Sequence, residues 1–309
     1  MKAIILSAGY GTRLQPLSDY TPKPLVPILG KPLLWHIITK ITASKANWIG
    51  INVHYQADKI EAFIDQEKFI PQVILSFEPI ILGSGGALLG FKKFIEQDDF
   101  FIIHNGDVLS DIPLAPLIAE WHQNQPLCLL ALHDHPRCNN VLLAHDKRII
   151  DIRYQIQTKQ PGQYLAYTGI AIMHSRILEY VPQGFSDIID ILIARIREGK
   201  ELIMGSVIQG HAWSDIGTIK DYFQTHHNIL INKMPLIAHG MIPKHSVFID
   251  EDVVLGEDVD FRGFVSIGKN CTIKSGSVLQ NCILWEGTML SENTIFSNMI
   301  VGKNWKISV

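Results

Sequence analysis

The sequence predicts an α/β chain: a Rossmann-like, mostly parallel sheet sandwiched by helices, then a short left-handed parallel β-helix. Three observations carry that expectation. Short apolar runs alternate with helical patterns over roughly the first 230 residues, the mark of βαβ units. The first apolar run passes directly into a turn built on Gly9 and Gly11. From Val247 onward an apolar residue recurs every sixth position.

The elements follow in order. Lys2–Leu6 reads as a buried strand. Leu33, Leu34, Ile37, Ile38 and Ile41 recur at helical spacing after Pro32. Ile49–Val53 and Val73–Phe77 read as strands, and Gly83-Ser84-Gly85-Gly86 opens a helix. Phe100–Ile103 is a strand ending at His104-Asn105-Gly106-Asp107, and Leu127–Leu132 and Ala171–Met173 are further strands. In the tail, Val247, Val253, Val259, Val265, Cys271, Ser277, Ile283, Met289, Ile295, Val301 and Ile307 share one six-residue frame, with Ser277 the polar exception. Such a period fits a hexapeptide β-helix, in which one small or aliphatic side chain per short strand stacks inside the coil. No capping helix is evident, so the end coil is expected to present an edge, and a homo-oligomeric contact through the tail is the corresponding expectation. The domains are set at 1–232 and 245–309, with Gln224–Lys244, which holds Pro235 and Pro243, as the linking stretch.

Composition excludes some classes. A chain of 309 residues has room for two domains, and 47% hydrophobic against 18% charged residues is globular. A net charge of −3 gives no electrostatic case for nucleic acid. No apolar run approaches the roughly 18 residues of a membrane span, and the N-terminus has no signal-peptide pattern. Cys128, Cys138, Cys271 and Cys282 show no framework spacing, so reduced thiols in a cytoplasmic protein are expected.

Residues 6–27 carry the chemistry. After Leu6, glycines at 9 and 11 let backbone N–H groups approach phosphate oxygens. Arg13 and Lys23 add two cations, and Pro22 and Pro24 restrain the backbone around Lys23. A Walker A loop is excluded because no Gly-Lys-Ser/Thr follows at the right spacing. The dinucleotide fingerprint is excluded because Leu14 stands where Gly or Ala is needed.

Gly-Tyr-Gly-Thr-Arg-Leu-Gln-Pro-Leu together with Pro-Lys-Pro-Leu-Val-Pro resembles the signature of the nucleotide-sugar pyrophosphorylases, the sugar-1-phosphate nucleotidylyltransferase family. Leu82–Leu88 resembles that family's Gly-rich base-binding segment, and Asn105-Gly106-Asp107 its metal-binding turn. Tyr167-Thr168-Gly169-Ile170 is similar to its sugar-binding strand, and Trp213-Ser214-Asp215-Ile216-Gly217-Thr218 to the motif of its second metal ligand. The tail is similar to that of the branch holding the mannose-1-phosphate guanylyltransferases.

The resemblance implies transfer of a nucleotidyl group from an NTP to a sugar 1-phosphate, giving an NDP-sugar and pyrophosphate, with Mg²⁺ as cofactor. GTP with mannose 1-phosphate is the expected pair. The alternatives are a UTP-dependent uridylyltransferase and a non-catalytic regulatory homologue. Such a reaction needs positioning and charge stabilisation more than acid–base groups, because the attacking phosphate is already an anion. The implied roles are Leu6, Ala8, Gly9, Gly11, Thr12, Gly85 and Gly86 for the nucleotide, and Arg13 and Lys23 for its phosphates and the departing pyrophosphate. Asp107 and Asp215 are implied as metal ligands, and Asn140, Thr168 and Gly169 as the sugar-phosphate side. Asp111 is read as a solvent-facing or turn-capping neighbour.

Two departures fall on the sugar side. The Glu-Lys-Pro segment whose lysine holds the sugar phosphate in many relatives is replaced by Asp151-Ile152-Arg153-Tyr154, leaving Arg153 or Lys159 as candidate substitutes. Arg137-Cys138-Asn139-Asn140 lacks the relatives' glycine and offers Asn side chains to sugar hydroxyls. The thirteen histidines show no zinc-like spacing and are read as surface or cap residues. A tail that also transfers acyl groups is disfavoured, because no histidine falls within the hexads and His245 precedes them.

Overall fold

The computed structural model describes residues 1–235 and 245–309, so Pro243 and the second part of the expected linking stretch, 236–244, lie outside the described residues. Gln224 belongs to a helix. Compactness divides the chain into two units: Met1–Tyr10, Ile37–Val108 and Ile112–His211 form the first, and Gly11–His36, Leu109–Asp111 and Ala212–Val309 the second.

The strands up to residue 215 are β1 (Lys2–Leu6), β2 (Pro27–Ile28), β3 (Lys31–Pro32), β4 (Trp48–Val53), β5 (Gln72–Phe77), β6 (Phe100–Asn105) and β7 (Val108–Ser110). They continue with β8 (Cys128–His133), β9 (Val141–Leu143), β10 (Ile149–Ile152), β11 (Gln163–His174), β12 (Ile203–Val207) and β13 (Trp213–Asp215). The helices are α1 (Leu17–Tyr20), α2 (Leu33–Ala43), α3 (Ala57–Glu67), α4 (Gly83–Gly86), α5 (Lys92–Ile95), α6 (Leu114–Asn124), α7 (Ile188–Glu198) and α8 (Ile219–Leu230).

The first unit is built on one nine-stranded sheet of order β10-β9-β11-β6-β1-β4-β5, with β8 also pairing β11 and β12 pairing β8. β5, β4, β1 and β6 are mutually parallel. Ile4, Ile5, Ile49 and Ile51 are wholly buried, as expected where both sheet faces are covered. The long β11 then runs antiparallel to β6, β8 and β9. Its pairing with β8 shifts register between Tyr167 and Ala171, where Gly169 takes φ +81°. The predicted strand Phe100–Ile103 extends to Asn105, and the helix expected at Gly83 is a single α turn continued by a 3₁₀ stretch, Ala87–Phe91. His104, buried at the end of β6, donates through Nδ1 to Asn105 O at 2.8 Å. Burial, then the Lys40 charge, push its pKa down to about 3.

In the second unit α8 is the spine. Thr218 caps it by accepting from Asp221 N–H, and Ser214 and Thr225 share a 2.7 Å hydroxyl bond that fixes β13 on the helix. The buried Tyr222 hydroxyl donates to Pro27 O at 2.7 Å and accepts from Trp285 Nε1–H at 3.0 Å. Tyr20, at the end of α1, stacks on Trp305 with ring centroids 4.7 Å apart. His226 is not a surface residue: it is fully buried and donates through Nδ1 to Tyr222 O. Burial pushes its pKa down to about 4.

The tail is a parallel β-helix. Its strands are β14 (Val247–Ile249), β15 (Val254–Leu255), β16 (Asp260–Ile267), β17 (Thr272–Ile273), β18 (Val278–Leu284), β19 (Met289–Leu290), β20 (Ile295–Gly302) and β21 (Trp305–Ser308). They form ladders β14-β16-β18-β20-β21 and β15-β17-β19. The inward column runs Val247–Val265–Cys282–Met299, so the first step spans eighteen residues and the later ones seventeen. The step shortens at Gly263–Phe264, where β16 bulges, Gly263 takes φ +62° and Phe264 N–H donates to Asn281 Oδ1. The uniform six-residue frame therefore slips by one after Ser277. Thr288 is 1% exposed, whereas Met289 and Ile295, placed inside by that frame, are 77% and 74% exposed. Ser277, the polar exception, is fully buried because its Oγ–H is satisfied by Lys274 O at 2.7 Å. The expected open end is also altered, since β21 folds back antiparallel along β20.

Two outcomes follow for stability. The unfolded chain protonates its histidines near 6.5, but folded His226 does so only near 4 and His104 near 3. Protons thus bind the unfolded chain preferentially below pH 6.5, and stability falls as pH drops through that window. At about 1.4 kcal/mol per pKa unit, His226 accounts for up to ~3 kcal/mol by pH 4. Urea titrations from pH 7 to 4 should show this decline, with a shallower slope in His226→Gln. In the tail, Met289→Lys should change stability by less than about 0.5 kcal/mol, while Leu290→Lys should cost several-fold more, read by thermal melts.

Candidate active site

In the first unit, the C-terminal ends of parallel strands gather the predicted residues, where open α/β sheets place their ligands. Leu6, Ala8, Gly9, Asn52, Ile81, Gly83, Ser84, Asn105 and Asp107 line a pocket of about 260 Å³. The Asp107 turn is joined to β1, since Gly106 N–H donates to Leu6 O at 2.8 Å. A Cβ on Gly106 would lie 2.2 Å from Ser7 Oγ, so glycine is required there. A Cβ on Gly9 would meet no protein atom within 4 Å, so the fold itself makes no packing demand for glycine at that position. Backbone access for a ligand is the reading that remains.

A buried polar rail sets the pocket floor. Ser7 N–H donates to Asn52 Oδ1 at 2.7 Å, Asn52 Nδ2–H to Glu78 Oε1 at 2.8 Å, and Leu82 N–H to Glu78 Oε2 at 2.8 Å. Leu82 O accepts from Ser186 N–H, and Ser186 O accepts from Gly85 N–H. The Gly-rich turn is thereby laid against residues 184–187. A Cβ on Gly83, Gly85 or Gly86 would come within 2.4, 2.6 or 2.3 Å of that segment. Gly83 and Ser84 face the pocket, whereas Gly85 and Gly86 are buried and do not line it. Their glycines serve the approach of two backbones.

On the sugar side, Gly169 lies under Asn105: a Cβ on it would sit 2.8 Å from Asn105 Nδ2. Thr168 is 1% exposed and donates to Ala131 O at 2.9 Å, so its hydroxyl pins the β11 bulge. Asn140 is half-buried and ties β9 to its neighbours through its backbone, donating to Leu165 O and accepting from Arg153 N–H. The Asn139 side chain bonds within its own loop, to His135 N–H and Asp134. Arg153 forms ion pairs with Asp187 and Asp190, and Lys159 is exposed.

In the second unit, Gly11 takes φ +67° and opens the 3₁₀ turn Thr12–Leu14, which carries Arg13. A Cβ on Gly11 would lie 3.2 Å from the Lys23 Cβ, so the two arms of the loop touch at glycine. Leu14 and Leu17, fully buried, anchor the segment. β13 ends in Asp215, and a Cβ on Gly217 would lie 3.4 Å from both Arg13 Nη1 and Asp215 Oδ2. The guanidinium and the carboxylate thus flank one point that glycine leaves open. β13 is paired with β7. Asp111 does more than cap a turn: its Oδ1 accepts from Ala212 N–H at 2.7 Å and its N–H donates to Ala212 O. At Asp111 the chain therefore clasps the segment leading to Asp215.

Among the described residues no group of three or more His, Cys, Asp or Glu stands ready to hold a metal. Sequence reasoning missed Asn52, Glu78, Ser84, Ser186 and Asp187 and gave Gly217 no role. Asn52 carried a signal, a polar residue inside an apolar strand.

Residues 2–232 match the family model described as nucleotidyl transferase, and residues 243–309 that described as the GMPPB C-terminal domain. A UTP–glucose-1-phosphate uridylyltransferase of Synechocystis is 26% identical, over 98% of this chain and 84% of its own. A bifunctional protein GlmU of Methanococcus maripaludis is 30% identical, over 98% and 78%. A probable mannose-1-phosphate guanylyltransferase of Oryza sativa is 28% identical, over 98% and 86%. Among solved structures, HddC from Yersinia pseudotuberculosis superposes with a TM-score of 0.61 at 25% identity, over 72% of this chain and 96% of that one. With the whole sheet and its loops inside the matched span, the chain belongs to the nucleotidyl transferase family, as an enzyme that moves a nucleotidyl group from an NTP to a sugar 1-phosphate.

Proposed function

We propose that the chain is a UTP-dependent sugar-1-phosphate uridylyltransferase acting in NDP-sugar biosynthesis. The observation that carries the chemistry is the pocket lined by Gly9, Asn105 and Asp107 beside Gly83 and Ser84. UTP is favoured by the relative that is a uridylyltransferase over 98% of this chain and by the absent Glu-Lys-Pro segment. GTP with mannose 1-phosphate, the pair first expected, is the second reading. It is supported by the tail's match to the GMPPB C-terminal domain and by the guanylyltransferase relative.

In the proposed reaction a sugar-phosphate oxygen attacks the α-phosphorus and pyrophosphate leaves. Backbone N–H groups at Gly9, Gly11 and Thr12 and the cations of Arg13 and Lys23 take up phosphate charge, most of it as the leaving group departs. Leu6 and Ala8 border the nucleotide. Asp107 and Asp215 are the proposed carboxylates for magnesium, whose contribution when bound is to neutralise phosphate-oxygen charge. The sugar side is assigned to Gly169 and the Asn140 backbone, with Thr168 shaping the bulge beneath them. Cytoplasmic location and assembly through the tail belong to the same proposal; among the described residues no helix is long and apolar enough to cross a membrane.

Pyrophosphate release, measured for four NTPs against a set of sugar 1-phosphates with Mg²⁺, tests the substrate. UTP should exceed GTP by about ten-fold or more in kcat/KM, corresponding to about 1.4 kcal/mol of discrimination. A GTP preference would establish the second reading instead. Gly217→Ala tests the roles proposed for Arg13 and Asp215. Its methyl meets Arg13 and Asp215 at ordinary contact distance, so the fold should stand. Turnover should fall by about ten-fold or more, because the methyl occupies space the reacting phosphates need. Unchanged kcat would remove Arg13 and Asp215 from the site.

A further inference from the structure

Arg153 is one of the two cations, with Lys159, expected to substitute for the sugar-phosphate lysine of many relatives, yet its charge is already committed. Its Nη2 lies 3.1 Å from Asp187 Oδ2 and its Nη1 3.5 Å from Asp190 Oδ1. Its backbone, at φ +56° and followed by Tyr154 at +57°, is held by donation from Arg153 N–H to Asn140 O at 2.7 Å. Tyr154 locks the same turn, donating from Oη to Asn139 O and packing on Tyr164.

The other oxygen of Asp187 faces the nucleotide side. Asp187 Oδ1 accepts from Ser84 Oγ–H at 2.9 Å and from Ile189 N–H at 3.0 Å, and Ser84 Oγ accepts from Ile188 N–H at 2.9 Å. Ser84 lines the pocket with Gly9 and Asp107. Burial opposes ionisation of Asp187, but the Ile189 and Ser84 hydrogen bonds and the Arg153 guanidinium outweigh it and hold the carboxyl below its ordinary value. Without the arginine, Asp187 and Asp190 would be two like charges at the start of α7, and Asp187 would lose the counter-charge that keeps it on Ser84.

We infer that Arg153 is a positioning residue for the Gly-rich turn: through Asp187 it fixes Ser84 and so shapes the nucleotide side of the pocket, and it does not grip the sugar phosphate. This rests on the reading of that pocket as the NTP site.

Steady-state kinetics and calorimetric NTP binding, on the full chain with the best substrate pair, test it. Arg153→Ala should raise the KM and Kd for NTP about five-fold, the scale of one charge-assisted hydrogen bond, with the KM for sugar phosphate within about two-fold and an unchanged melting temperature. Arg153→Lys should restore most of the loss. Asp187→Asn should reproduce it, and the double variant should be no worse than either single one. A rise confined to the sugar-phosphate KM, or additive losses in the double variant, overturns the assignment. Wild-type NTP binding that Arg153→Ala leaves intact overturns the positioning role alone. Absence of NTP binding by the wild type overturns the nucleotide reading and this inference with it.

Discussion

The pocket depends on a carboxyl group that no solvent reaches freely. Glu78 is 4% exposed and sits where an apolar sheet would otherwise continue. A buried carboxyl without partners is costly, so its two oxygens must be answered, and Asn52 and Leu82 N–H answer one each. Because Asn52 also receives Ser7 N–H, one side chain on β4 connects the loop after β1 to the Gly-rich turn after β5. Three segments distant in sequence are held in mutual register by polar groups that are mostly buried. Satisfied networks of this kind specify a single arrangement more sharply than apolar packing does, since any slip strands a polar atom.

The second unit uses hydroxyls in the same way. Tyr222 serves Pro27 and Trp285 with one oxygen, and Ser214 and Thr225 join β13 to α8. Inside the β-helix, Ser277 and Thr288 stand in for aliphatic residues because each returns its proton to a backbone carbonyl at the coil corner. Polarity at an inward position is then compatible with the repeat.

Much of this was legible in the sequence, and what was not has physical reasons. Strand runs such as Lys2–Leu6 and the helix after Pro32 declare themselves because both depend on local periodicity. Gly9, Asn105 and Asp107 declared themselves through motif context and do share a pocket. Gly85 and Gly86 were read as ligand contacts, but glycine is equally needed where one backbone lies on another, and composition does not tell these apart. The Arg153–Asp187 pairing joins residues brought close by the fold, and no spacing rule anticipates it. The hexad frame failed after Ser277 because β18 lacks the extra residue that bulges in β16, while apolar residues persist on both sides of the strand. Met289 and Ile295 satisfied the count and yet stand outside.

The stack of Tyr20 on Trp305 has a bearing on modularity. Trp305 lies on the last strand, edge-on to Trp285, and Tyr20 precedes Lys23 by one short turn. Strand β21 is thus a buttress for the segment that carries Lys23, the cation proposed to face phosphate. Trp305 supports the turn before Lys23, so a foreign tail of equal length would join to the chain without supporting that turn.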